Sequence, residues 1–160
     1  MIDHNDIYNE LEEIAVTNLK ADAWLGDTDN VKTIQKKLSP NLVYYVNEVP
    51  VIAIEVMDVP DETNRNNSIF QEQINIICEV VCSGADRAEL DRVVKEIIAR
   101  IRRHVKAQIR AYSPANPFWG ESEIIPLGNG SADFITGENE NSEYVQVGTT
   151  IIEIDIIEKS

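Results

Sequence analysis

The most constraining feature of the chain is an alternation in its middle. From Ile74 to Cys82, the residues Ile74, Ile76, Cys78, Val80 and Cys82 are all apolar, with Asn75, Ile77, Glu79 and Val81 between them. Successive side chains of a strand point to opposite faces, so this segment is a strand with one wholly apolar face and one mixed face. A strand of that kind requires a sheet that packs on a core from one side, which suits an antiparallel arrangement. The segment predicts a long strand over Ile69–Cys82. It also decides the thiol chemistry. Cys78 and Cys82 share a face at about 13 Å along a strand, beyond the reach of a disulfide, so both read as buried, small apolar groups.

The rest of the chain supplies the partners such a strand needs. Ile7, Leu11, Ile14, Ala15 and Leu19 form the apolar stripe of an amphipathic helix, with Asp3, Asn5 or Asp6 as its cap. Trp24 and Leu25 tuck the following loop against the body. Val31 to Leu38 is a short edge strand or a helical turn, and Leu42 to Val46 is rich in β-forming residues. Val49 to Val56 is a strand, with Ile52, Ile54 and Val56 on one face and Val51, Ala53, Glu55 and Met57 on the other. Asp58 to Ser68 has no apolar periodicity and reads as a loop. Leu90, Val94, Ile97, Ile101, Val105 and Ile109 mark a second helix from Asp86 to Arg110, about 38 Å long. Asp86 or Ser83 caps it, with Glu89 placed three residues after Asp86. Tyr112 to Gly120 is a rigid aromatic loop, Glu123 to Leu127 a short strand, and Gly128 to Ser142 mostly loop. Tyr144 to Ile157 is a long final strand. This order predicts a single α+β domain over residues 1–160. Its architecture is a two-layer sandwich, a mainly antiparallel mixed sheet with two helices on one face.

Charge narrows the function. Fourteen basic residues stand against 28 acidic ones, a net charge of −14. That balance opposes general binding to phosphate backbones and to anionic membranes. No apolar run is long enough to span a bilayer. The opening Met1-Ile2-Asp3-His4-Asn5-Asp6 lacks the basic start and apolar stretch of a signal peptide, which predicts a cytosolic protein. The charge is also uneven. Asp86 to Arg110 carries eight basic and four acidic residues, a net +4, which leaves −18 on the remainder. A basic helix on an acidic body suits docking between copies, with Arg92, Arg103, Lys106 and Arg110 as candidate contacts.

Catalytic signatures are sparse. There is no Gly-rich phosphate loop and no nucleophile elbow, and no cofactor is implied. His4 and His104 lack ligand partners at metal spacing, and His104, among Arg102, Arg103 and Lys106, reads as part of a solvated helix face. Glu55, Glu79, Glu153 and Asp155 fall on the polar sides of strands and would share the sheet face away from the helices. They admit three readings: a solvated face, an acid–base or cation-binding cluster, or an acidic surface inside an assembly. Ala53, Met57, Ile77 and Val81 make that face too apolar for ordinary solvent and point to a subunit interface. Phe118 and Trp119 in the aromatic loop either cap the core or anchor a protein partner.

Taken together, the short amphipathic helix from Ile7 to Leu11, the strand Val49-Pro50-Val51-Ile52-Ala53-Ile54, the segment Gln71 to Val80, the long helix and the alternating strand Val147 to Ile157 resemble a known family. The pattern is similar to the tail terminator, or tail-completion, proteins of long-tailed bacteriophages, including minor tail proteins of lambda-like and Mu-like phages. The resemblance covers nearly the whole chain as element order and texture, without a diagnostic motif. It implies a non-enzymatic virion protein that forms a ring, commonly a hexamer, and caps the tail tube. Its partners would be other copies of itself, the tail tube protein and head–tail connector proteins. It would reside in the host cytoplasm during assembly and then at the head-proximal end of the tail. In such a ring the acidic excess would partly line a channel and repel passing DNA, with no specific nucleic-acid binding and no membrane contact. Two other readings are a ferredoxin-like small-ligand-binding or regulatory domain and a metal-dependent hydrolase built on the carboxylates.

Overall fold

The computed structural model describes residues 4–37, 49–58, 69–113, 124–138 and 143–159. After a 3-10 turn at His4–Asp6, the chain forms α1 (Ile7–Ala21), β1 (Thr33–Lys36), β2 (Val51–Asp58), β3 (Ile69–Gly84), α2 (Arg87–Arg110), β4 (Ile124–Glu138) and β5 (Tyr144–Lys159). The strands make one five-stranded sheet in the order β1-β2-β3-β5-β4. β1 runs parallel to β2, and every other pairing is antiparallel. This is an α+β fold with a mixed sheet. The ferredoxin-like alternative requires the order β-α-β-β-α-β. The described elements instead run α-β-β-β-α-β-β.

The apolar alternation of β3 organises the core. Ile74, Ile76, Cys78, Val80 and Cys82 are all buried, beside Ile52 and Ile54 of β2 and Ile152, Ile154 and Ile156 of β5. α1 packs over β1 and β2 and α2 over β5, β3 and β4. Leu11, Ala15, Leu19, Val94, Ile97 and Ile101 fill the space between the layers, with Ile14 partly buried beside them. Both thiols are free and buried. Loss of solvation pushes the Cys78 thiol up to about 12. Leu25 is fully buried and Trp24 packs against the core. The Arg100 guanidinium lies over the Trp24 ring, 4.7 Å from its centroid.

α2 begins where its cap residue predicts. The Asp86 side chain accepts from the Glu89 backbone N–H at 3.2 Å. Asp6 precedes α1 but makes no side-chain cap bond. α2 can lie close to the sheet because residue 148 is glycine. A Cβ there would come within 2.6 Å of Val94 Cγ1 and 3.1 Å of Ile98 Cγ1.

Three expectations need correction or resolution. Within the ambiguous Val31–Leu38 segment, Thr33–Lys36 form a strand, β1, that pairs with β2. The segment expected to be a short strand and then loop is instead one 15-residue strand, β4. β4 pairs with β5 along its length, with irregularities between Pro126 and Gly128 and between Asn129 and Ala132. Gly128 takes a φ of 142° at the first of these, a conformation that favours glycine. A strand at a sheet edge needs backbone partners on one side only, so its low apolar content does not forbid it. His104, read as solvated, is buried. The Leu42–Val46 segment, the loop at 59–68 and the aromatic loop beyond residue 113 lie outside the described residues.

Candidate functional site

Strand register turns the far face of the sheet, opposite the helices, into a set of cross-strand rows. Val51, Val81, Val147 and Ile135 form one row. The next holds Ala53, Glu79, Thr149 and Asp133. Glu55, Ile77 and Ile151 form a third. Met57, Asn75 and Glu153 form a fourth, and Gln73 faces Asp155 beyond it. The face is therefore apolar at one end and acidic towards the other. Val51, Ala53 and Val81 are buried there, whereas Met57 is half exposed.

The four carboxylates named from the sequence do share this face, but they do not converge. Glu79 stands opposite Thr149, four residues from Glu153, which places them about 13 Å apart along the strand direction alone. Among the described residues, no group of three or more His, Cys, Asp or Glu side chains could hold a metal ion.

Glu55 and Glu79 are instead joined through Lys37. Its Nζ lies 3.4 Å from Glu55 Oε2 and 3.2 Å from Glu79 Oε1. Lys37 follows β1 and reaches this face because its backbone N–H donates to the Ile54 carbonyl, continuing the β1–β2 pairing. Burial alone would lower the Lys37 ammonium, but hydrogen bonds and charge from Glu79 and then Glu55 outweigh it and raise it. An ammonium between two carboxylates occupies the position a bound cation would take. Sequence reasoning missed this bridge because 18 residues separate Lys37 from Glu55, and only the register brings them together.

On the helix side, Arg92 is gripped by Glu89 at 2.6 Å and by Glu96 at 3.0 Å. Lys95 pairs with Asp91 at 2.7 Å. Arg102 turns inward, donating to the Gly130 carbonyl and to Thr150 Oγ1. Arg103, Lys106 and Arg110 are exposed. Arg92 is thus committed within its own helix, unlike the other three cations named from the sequence. Phe118 and Trp119 lie outside the described residues.

A second polar group is internal. His104 Nε2 lies 2.9 Å from Asn18 Oδ1, and Nδ1 lies 3.3 Å from Asp22 Oδ1. The other Asp22 oxygen accepts from the Trp24 and Leu25 backbone N–H groups. The cluster ties the end of α1 to α2. A neutral ring protonated on Nδ1 donates to Asp22. Asn18 then serves best with its amide turned so that Nδ2, buried without a partner as placed, donates to Nε2. Among the described residues, no hydroxyl or thiol stands among these contacts.

Compared with known proteins, the chain matches no family model and no curated protein sequence. Among the described residues, no helix is long and apolar enough to cross a membrane.

Proposed function

We propose that this chain is a tail terminator-like ring subunit of a long-tailed bacteriophage, a structural virion protein that caps the tail tube and supports head joining. The observation that carries the reading is the division of the sheet. Two helices cover one face, while the other carries rows bearing Glu55, Glu79 and Glu153 beside an apolar row in which Ile135 is exposed and Val51 and Val81 are buried within the chain. No described helix lies over that second face, and its mixture of apolar and acidic groups is that of a subunit interface grading into a charged rim. The element order, with a short leading helix, a long central strand, a long helix and a closing strand, supports the same reading. Partners are further copies in a closed ring such as a hexamer, together with the tail tube and head–tail connector proteins. The acidic positions outside α2 would keep passing DNA from adhering to the channel.

Negative-stain microscopy of the purified protein, combined with its mass in solution, tests the reading. Rings of uniform diameter are the expected result. Failure to form rings both in solution and on isolated tail tubes would overturn it.

A further inference from the structure

The solvent side of α2 has a simple composition. Its outward ridge runs through Arg92, Lys95, Ala99, Arg103, Lys106 and Arg110, spaced three or four apart, and only Arg110 ends it. All of these positions except alanine are cations. Arg92 and Lys95 are neutralised by acids of their own helix. After Glu96 the helix carries no acid, and Arg103, Lys106 and Arg110 make no ion pair among the described residues. Three uncommitted cations therefore stand along about 10 Å of one helix face.

The opposite condition holds at the outer edge of β4. Asp133 to Glu138 are all exposed, including Phe134 and, most of all, Ile135 at 67%. Asp133 and Glu138 make no ion pair among the described residues. β4 ends the strand order, and a long exposed edge with large apolar side chains is a template for association that proteins ordinarily cover. Copies of a chain at −14 repel one another, so a contact between them has to match the scarce unpaired cations to unpaired acids.

We infer that the α2 ridge at Arg103, Lys106 and Arg110 of one copy docks on the Asp133–Glu138 edge of β4 of the next. Asp133 and Glu138 lie about 16 Å apart along the strand and, being five residues apart, project to opposite sides of it, so the ridge lies along the β4 edge and its long Arg and Lys side chains reach one acid on either side. Ile135 supplies the apolar centre of the contact. The contact joins two different surfaces, so it repeats in one direction and builds a ring or an open stack. The inference deepens the ring reading and rests on it for closure, but not for the contact itself.

Sedimentation velocity of the full chain tests it, at about 0.05 M and about 0.5 M salt, where screening differs several-fold in range. Two variants are compared with the wild type: Arg103→Glu with Lys106→Glu, and Asp133→Lys with Glu138→Lys. Wild type should self-associate at low salt and dissociate at high salt. Each variant alone should weaken self-association by about tenfold or more, as expected for opposed charges placed together. Mixing the two should restore association, because each reversed surface then meets its complement. Circular dichroism confirms that both variants fold.

Wild type that stays monomeric up to roughly 1 mM, the weak end of specific affinity, would overturn the contact. So would self-association unchanged by ridge reversal, with the ring reading left standing. Binding of a duplex DNA probe that disappears on ridge reversal, without any change in self-association, would make the ridge a polyanion site and overturn the contact as well. Open filaments in place of rings, sensitive to both variants, would uphold the contact and sink the ring reading.

Discussion

Lys37 shows how much one side chain can hold together. It links Glu55 and Glu79 across adjacent strands through Glu55 Oε2 and Glu79 Oε1, while Glu79 Oε2 is buried with no hydrogen-bond partner among the described residues. Replacing Lys37 with Met leaves two neighbouring carboxylates without their cation. The expected loss is about 1–2 kcal/mol, below that of a fully buried pair because Glu55 is partly solvated. Urea unfolding at neutral pH checks it, and the loss should shrink when Glu79→Gln is added. For the same reason, charge reversal at Glu55 or Glu79 would set a second cation beside Lys37 and damage the fold, so those positions are poor probes of assembly. His104 makes a pH prediction. Burial lowers its affinity for protons, and the opposing charge and hydrogen bond of Asp22 only partly offset this. The unfolded chain, titrating near 6.5, then binds the proton more readily than the folded one. Stability is present above that pH and is lost as pH falls below it. Other carboxylates titrate at lower pH, so the informative measurement is the difference between wild type and His104→Gln across pH 7.5 to 5. That difference should narrow as the pH falls.

At the scale of elements, the seating of α2 depends on a missing side chain. Gly148 of β5 lies beneath Val94 and Ile98, so Gly148→Ala forces a methyl into space already filled. Overpacking of that kind costs about 1–3 kcal/mol. A fall in thermal midpoint, partly reversed by adding Val94→Ala, would verify the cause. β4 carries the other lesson. Its apolar periodicity is too weak to announce a strand, yet β5 offers it a continuous row of backbone partners and the strand forms. Thr136 Oγ1 donates to Gln146 Oε1 at 2.6 Å across that pairing, which helps hold the exposed end in register. The helices and the two long inner strands were legible because burial on one face imposes a period on the sequence. Of the edge strands, β1 was legible as one of two readings and the start of β4 as a short strand, whereas β4 beyond Leu127 was not, because no residue is buried there and burial imposes no period on it.

At the scale of the whole molecule, the net charge of −14 is a sum of unlike regions. The first half of α2 cancels itself through Glu89, Asp91 and Glu96, so the cationic excess gathers at its C-terminal half. The acidic remainder is spread over the loops, α1 and the far face of the sheet. If the far face borders a channel, Glu153→Lys should leave the subunit folded, since Glu153 is only half buried and lies in a row with Met57 and Asn75. It should also make the assembled protein retain duplex DNA that wild type releases. Fluorescence anisotropy with labelled DNA at physiological salt measures this, and equal release by both proteins would remove the proposed role of the acidic lining.

The sequence by itself determined the α+β class, both helices, the apolar face of β3 and the separation of one cationic helix from an acidic body. Each of these is written as a local period or a local count, and burial or charge reads it directly. Only the tertiary structure decided that β1 runs parallel to β2, that Lys37 joins Glu55 to Glu79, that His104 is buried against Asn18 and Asp22, and that Glu79 stands well apart from Glu153. Those facts depend on strand register and on contacts between residues distant in the chain. A shift of one residue in register would change every one of the far-face pairs without altering a single local preference.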